Sequence, residues 1–348
     1  MSYTLGNVLD SHDYGYSYSQ NQDVLHLLDI AGGFDLNFAL CIGKEIDLNP
    51  DLNNLLEILS KLKEVNDSNE RRQTLNNIKF DNFTDAHKFF IKLTQELFFK
   101  RSGERWEAKS PDWITSHEQE VLSIARNLGL CDTVIPKETS YDCLAVFGAS
   151  SGTMQKRLDY SYQIIRQNSL DISEGIFLLT GERYVTTGID NSTLIELARN
   201  HFSTSKVTES HLMEIINLDY QNQYDLNHIN YFVIDTPKGD KSRPNTDDTL
   251  IQFFDTYEDK CSNVVFVSNN PYINSQKESV YNVVTKKNVH VSYEVVGDGC
   301  DYDALNPHPL LMSAAATWFK AWDRIEYSMN NNNDASGMKT LGYTNRCG

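Results

Sequence analysis

Near Tyr141 the spacing of apolar residues changes, and that change limits the chain to a small set of architectures. Upstream, "DVLHLLDIA", "LNNLLEILSKLKEV", "DAHKFFIKLTQELFFKR" and "HEQEVLSIARNLGL" repeat apolar residues at helical intervals, and no strand pattern interrupts them. From Tyr141 onward, short continuous apolar runs alternate with helical segments. The runs are "CLAVFGAS", "GIFLLTGER", "NYFVIDTP", "NVVFVSNNP" and "VHVSYEVVG", and "LLMSAAATWFKAWDRIEYSM" closes the series as a helix. Strand–helix alternation predicts right-handed βαβ units and a mostly parallel sheet. Runs as uniformly apolar as "LAVF", "IFLL" and "VVFV" belong in a sheet covered on both faces. The fold expected is therefore α/β, a sheet of about five strands flanked by helices and preceded by an α-helical region. The divisions fall at 1–20 (irregular), 21–138 (helical domain or cap), 139–328 (α/β domain) and 329–348, a polar, low-complexity and flexible tail.

A formal net charge of -17 excludes nucleic acid as a partner, because no basic stripe is present to neutralise phosphates. It leaves room for a small cationic pocket. The six cysteines show no CxxC pair and no ligand spacing, and read as reduced thiols that fill the core. The first twenty residues lack the basic and apolar regions of a secretory signal, and no apolar run has the length of a membrane span. The expected location is the cytoplasm, or a host cell reached without a standard signal peptide.

In an open parallel sheet, ligands sit beyond the carboxyl ends of the strands. The first strand ends in Gly148-Ala149-Ser150-Ser151-Gly152-Thr153, small residues that open a helix and turn backbone N–H groups toward an anion. The loop is neither GxGxxG nor GxxxxGK[ST], and a tight turn is the competing reading. Arg157 lies one turn into that helix, Arg183 follows the second strand, and Arg243 follows the third. Three guanidiniums at successive tips suit a small anionic ligand held bidentately, although each alone reads as a surface residue. Gly181 at the second tip marks a close backbone approach. Glu182 beside it is an acceptor or base, or half of a surface ion pair. Asn245 and Thr246 stand either at the crevice or as caps of the next helix. Glu209 opens another helix, where it favours the dipole or acts as a base. Ser268, Asn269 and Tyr272 supply hydrogen bonds and a stacking face after the fourth strand, or simply turn the chain. No HExxH and no GxSxG occurs, so neither metal nor serine-nucleophile chemistry is indicated.

The ordered segments "YDCLAVFGASSGTMQKRLDYSYQII", "FLLTGERY", "VTESHLME", "SRPNTDDTL" and "VVFVSNNPYINSQ" resemble the YdcF/SanA/ElyC-like family, Rossmann-like α/β domains, and within it a branch from intracellular bacteria with a helical N-terminal region. The match spans roughly residues 122–325. The resemblance implies a crevice at the strand tips with Gly148, Arg157, Gly181, Glu182, Glu209, Asn245 and Thr246 on the motif positions. It also implies a nucleotide or S-adenosylmethionine as candidate cofactor. The family's glycine run is here "FGASSG", and the His and Arg of its last motif are absent from "SNNPYINSQ". Two functions follow as expectations. One is an enzyme acting on a small phosphorylated or nucleotide-like ligand by hydrolysis or group transfer, with Glu209 or Glu182 as base. The other is a non-catalytic binding or interaction module, a secreted effector with the helical N-terminal region as partner surface.

Overall fold

The computed structural model describes residues 3–4, 22–28, 79–80, a few positions between 88 and 110, and 112–332 apart from 168, 242 and 301–305. Most of the expected helical region and the tail beyond Asn332 lie outside the described residues. Within the described part of that region, 22–28 is helical, and α1 (Asp112–Ser116) and α2 (Glu118–Asn127) fall in "DWITS" and "HEQEVLSIARNLGL". A two-stranded antiparallel pair, β1 (Tyr3–Thr4) with β2 (Lys79–Phe80), departs from the strand-free reading.

The expected α/β fold is present as a five-stranded, all-parallel sheet flanked by helices, in the order β5-β4-β3-β6-β7. The strands are β3 (Ser140–Phe147), β4 (Asp171–Gly181), β5 (Tyr231–Thr236), β6 (Asn263–Asn269) and β7 (Ser292–Asp298). Between them run α3 (Ser151–Gln167), α4 (Ser192–His201), α5 (Glu209–Tyr224), α6 (Thr246–Tyr257) and α7 (Ile273–Lys287), and α8 (Pro307–Asn332) follows β7. The central strand β3 is buried from Cys143 to Phe147 because successive side chains enter two different cores. Leu144 and Val146 meet Met154, Leu158, Tyr162 and Ile165, one helical stripe of α3, together with Leu212 and Ile216 of α5. Cys143, Ala145 and Phe147 face Leu250, Phe253 and Phe254 of α6 and Val280 of α7.

The chain builds β3, β4 and β5 outward to one edge, then crosses through α6 to place β6 on the far side of β3. The direction of winding therefore reverses between β3 and β6, and the gap beyond their carboxyl ends is the topological switch point, where open α/β sheets bind ligands.

Two sequence readings need correction. Cys143 and Cys261 are not reduced thiols but a disulfide with Cα atoms 5.7 Å apart, because the β3–β6 pairing sets Cys143 opposite Val264 and brings Cys261 alongside. A helix, α4, also stands where no helix was read, between Gly188 and Val207.

Candidate functional site

The loops after β3 and β4 and the first turn of α5 meet around one guanidinium. Arg183, two residues past the end of β4, is 8% exposed. Its Nε donates to Glu209 Oε2 at 2.7 Å, Nη1 to Asp190 Oδ2 at 2.9 Å, and Nη2 to Ala149 O at 3.0 Å and Asp190 Oδ1 at 3.3 Å. The Glu209 N–H returns to Arg183 O at 2.9 Å, which fixes the start of α5 beside the β4 tip. Burial taxes this guanidinium, but the two carboxylates outweigh it and hold its pKa above the ordinary value.

The two carboxylates differ in what else they accept. Asp190 also takes the N–H of Ser151 at 2.9 Å and of Thr186 at 3.0 Å. Burial resists its ionisation, yet Arg183 and these two amides together bring its pKa below the usual carboxylate range. Glu209 has fewer donors. Burial pushes its carboxyl above the ordinary range against the pull of Arg183 and Arg243, and Asp190 reinforces the upward shift. One guanidinium thus sits between a carboxylate held ionised and a carboxyl pushed toward neutrality.

Glycine is required at two positions here. A Cβ on Gly148 would lie 2.1 Å from Glu209 Oε1 and 2.8 Å from Leu179 O, so the Glu209 carboxyl packs directly on the β3 tip. A Cβ on Gly181 would lie 2.2 Å from Pro244 Cγ. The close approach expected at Gly181 exists, and its partner is the loop that carries Arg243.

The small-residue loop is occupied by the protein itself. The Ser151 N–H at the start of α3 is taken by Asp190, and Ser151 Oγ accepts the Asn191 N–H at 2.8 Å. Ser150 Oγ turns inward to Thr153 Oγ1 at 3.2 Å, and Ala149 gives its carbonyl to Arg183. Glu182, half-buried, reaches away from Glu209, its Oε2 accepting the Lys238 N–H at 3.2 Å. It anchors the β5–α6 loop. Asn245 caps α6, accepting from Asp248 N at 2.9 Å while Asp248 Oδ2 accepts from Asn245 N at 2.9 Å. Thr246 is the first residue of that helix.

Arg157 spans the switch point. It is 2% exposed. Its Nε donates to Asn269 Oδ1 at 2.8 Å, and Nη1 to Phe147 O and Gly148 O at 2.8 and 2.9 Å. The tips of β3 and β6 are therefore joined through one side chain. Tyr272 stacks near it, 5.9 Å from ring centroid to guanidinium carbon. Ser268 is turned to Gln276 of α7.

Arg157, Arg183 and Arg243 do gather at the carboxyl end of β3, but in different roles. The guanidiniums of Arg157 and Arg183 are buried and bonded to the protein, and Arg243 is half-buried and acts on Glu209 electrostatically. Asp190 escaped the sequence reading, since an acid in a polar loop resembles any surface acid; the following Asn191, which caps α4, was the available signal. No group of three metal-ligating side chains occurs among the described residues. No family model, no curated protein and no solved structure matches the chain, so the geometry of the Arg183 cluster is what a functional reading must rest on.

Proposed function

We propose that the protein is an enzyme acting on a small phosphorylated or nucleotide-like ligand bound beyond the carboxyl ends of β3 and β4, with Glu209 as general base. The observation that carries this reading is the pair of buried carboxylates on Arg183 whose pKa values are displaced in opposite directions. Paired carboxyls separated in this way are the usual means by which one site assigns an acid–base role to one group and a fixed charge to the other. Asp190 holds the charge, Arg183 orients Glu209, and Glu209 accepts a proton from water or from a ligand hydroxyl, as in hydrolysis or group transfer. Arg243, next to the Pro244 that packs on Gly181 and close enough to act on Glu209, is the cation assigned to the anionic group and to charge that develops during reaction. The strand order, with the winding reversal beside β3, supports a Rossmann-like assignment, and the YdcF/SanA/ElyC-like kinship rests on the sequence motifs alone. Nucleotides, S-adenosylmethionine and sugar phosphates are the ligands to try first.

The second reading is a non-catalytic binding or interaction module, an effector among the forms it would take. The internal satisfaction of Arg157 and Arg183 favours it, because a structural ion-pair network also displaces pKa values.

A thermal-shift screen with those three ligand classes tests the site. Ligand at 100 times its dissociation constant stabilises by about 2.7 kcal/mol, an easily measured shift. With a substrate in hand, Glu209→Gln should retain the ligand-induced shift and lose turnover by about 10²- to 10⁴-fold. Binding that persists with turnover unchanged removes Glu209 from catalysis, and a ligand with no turnover in the wild type selects the binding module.

A further inference from the structure

The turn over residues 130–134 and the end of β7 run side by side. Val134 and Gly297 form an antiparallel bridge, with N–H to O distances of 2.9 and 3.0 Å. Three residues further along each backbone stand Cys131 and Cys300, and the Cys300 N–H donates to Cys131 O at 2.9 Å. Next to this contact the backbones approach so closely that a Cβ on Gly299 would lie 2.6 Å from Cys131 O. Thr133 Oγ1 adds a bond from the Gly299 N–H at 3.0 Å. Residues that face one another across antiparallel backbone have Cα atoms about 4.5–5.5 Å apart. A disulfide needs about 4.4–6.8 Å. The Cys300 thiol donates to Leu130 O at 3.5 Å and to Cys131 O at 3.8 Å, and both cysteines line a cavity of about 340 Å³ together with Arg126, Asp132, Thr133 and Asp298.

We infer that Cys131 and Cys300 form a reversible dithiol–disulfide site that exchanges with small disulfides, Cys300 attacking and Cys131 resolving. The inference is independent of the ligand site beside β3 and β4. Cys131 is buried and Cys300 is partly exposed, so an incoming disulfide meets Cys300 first. The neighbouring Cys131 brings the Cys300 thiol below its ordinary pKa, Lys156 helps, and burial and Asp132 oppose. The neighbouring Cys300, with burial, pushes the Cys131 thiol up against the pull of Arg126. That is the division of labour an exchange site requires.

The Cys300 thiolate attacks one sulfur of the disulfide RSSR, forming a mixed disulfide and releasing RS⁻. Cys131 then attacks the Cys300 sulfur, the internal disulfide forms, and the second RS⁻ leaves. The protons of the two cysteine thiols end on two RSH molecules, and the two electrons lost by the pair reduce RSSR. Excess RSH reverses both steps. Cys143 and Cys261 do not take part, being already joined to each other and 0% and 1% exposed.

The test incubates the full-length folded protein with oxidised and then reduced glutathione, quenches by alkylation, and maps peptides by mass spectrometry. The expected result is a Cys131–Cys300 linked peptide that appears under oxidised glutathione and disappears under reduced glutathione. Cys131→Ser should instead accumulate glutathione on Cys300, since no resolving sulfur remains. Should that variant fail to fold, wild-type alkylation rates decide: near pH 7 the Cys300 rate should exceed the Cys131 rate by about tenfold or more. Cys131 and Cys300 both still alkylatable after oxidation, a stable glutathione adduct on wild-type Cys300, or equal alkylation rates would each overturn the assignment.

Discussion

Arg183 serves two carboxylates at once, and their opposite displacements give the cluster a readable pH signature. Glu209 has a raised folded pKa, so its contribution to stability is complete below the ordinary Glu value and is lost as pH rises through the raised one. Asp190 has a lowered folded pKa, so its contribution is present above the ordinary Asp value and is lost as pH falls through the lowered one. Urea unfolding between about pH 3 and about pH 8 should therefore show wild type losing ground to Glu209→Gln as pH rises above about 4.3. Against Asp190→Asn, wild type should gain across the acid range below about 3.9 and hold that gain. Parallel stability curves for wild type and both variants would refute the displaced pair. At this scale the sequence disclosed Gly148, Gly181, Arg183 and Glu209 as a set, because strand tips can be located from hydrophobic runs. It did not disclose Asp190, whose role is created by folding the 184–191 loop back onto Arg183. Nor did it show that Arg157 and Arg183 would spend their N–H groups on the protein, since that depends on which carbonyls the fold brings near.

Among the elements, the strands and long helices were legible because each buries a wide apolar face. α4 was not, because it buries only Ile195 and Ala198 and so lacks a stripe wide enough to register as periodicity. β4 starts at Asp171, earlier than its apolar run, and the polar addition pairs with Ser140 and Tyr141 before a register shift. Such an extension follows from backbone pairing and carries no apolar signal. The contact between β3 and β6 at the switch point is made by a side chain of α3. Arg157→Met should leave Phe147 O, Gly148 O and Asn269 Oδ1 without their donor and cost about 3 kcal/mol or more, given about 1.5–3 kcal/mol for each bond to a charged group and incomplete additivity. Hydrogen exchange should localise the loosening to the loops after β3 and β6. Uniform exchange change over the whole sheet would argue against a local tie.

The order of the strands was beyond sequence reading, since β3 pairs with β6 across most of the domain and periodicity carries no information about partners. The disulfide marks the same long connection, with 118 residues between Cys143 and Cys261. A loop of that length places the bond near the upper end of the roughly 2–4 kcal/mol typical of disulfides. The Cys143→Ala/Cys261→Ala variant should lower the urea midpoint and raise the m-value, since the unfolded chain expands without the cross-link, and an unchanged midpoint would show that the bond constrains little. The position of β3 in the middle of the sheet also governs how the protein is born. When β3, β4 and β5 have left the ribosome, one side of β3 still has no strand beside it, and its partner β6 has yet to emerge. Asn269 follows Thr236 by 33 residues, so at about 5–20 residues per second that wait is about 2–7 seconds. For that interval the nascent chain presents the open edge of an apolar strand to every other chain nearby, which makes this a protein whose yield should depend on chaperone supply and translation speed more than its finished fold would suggest.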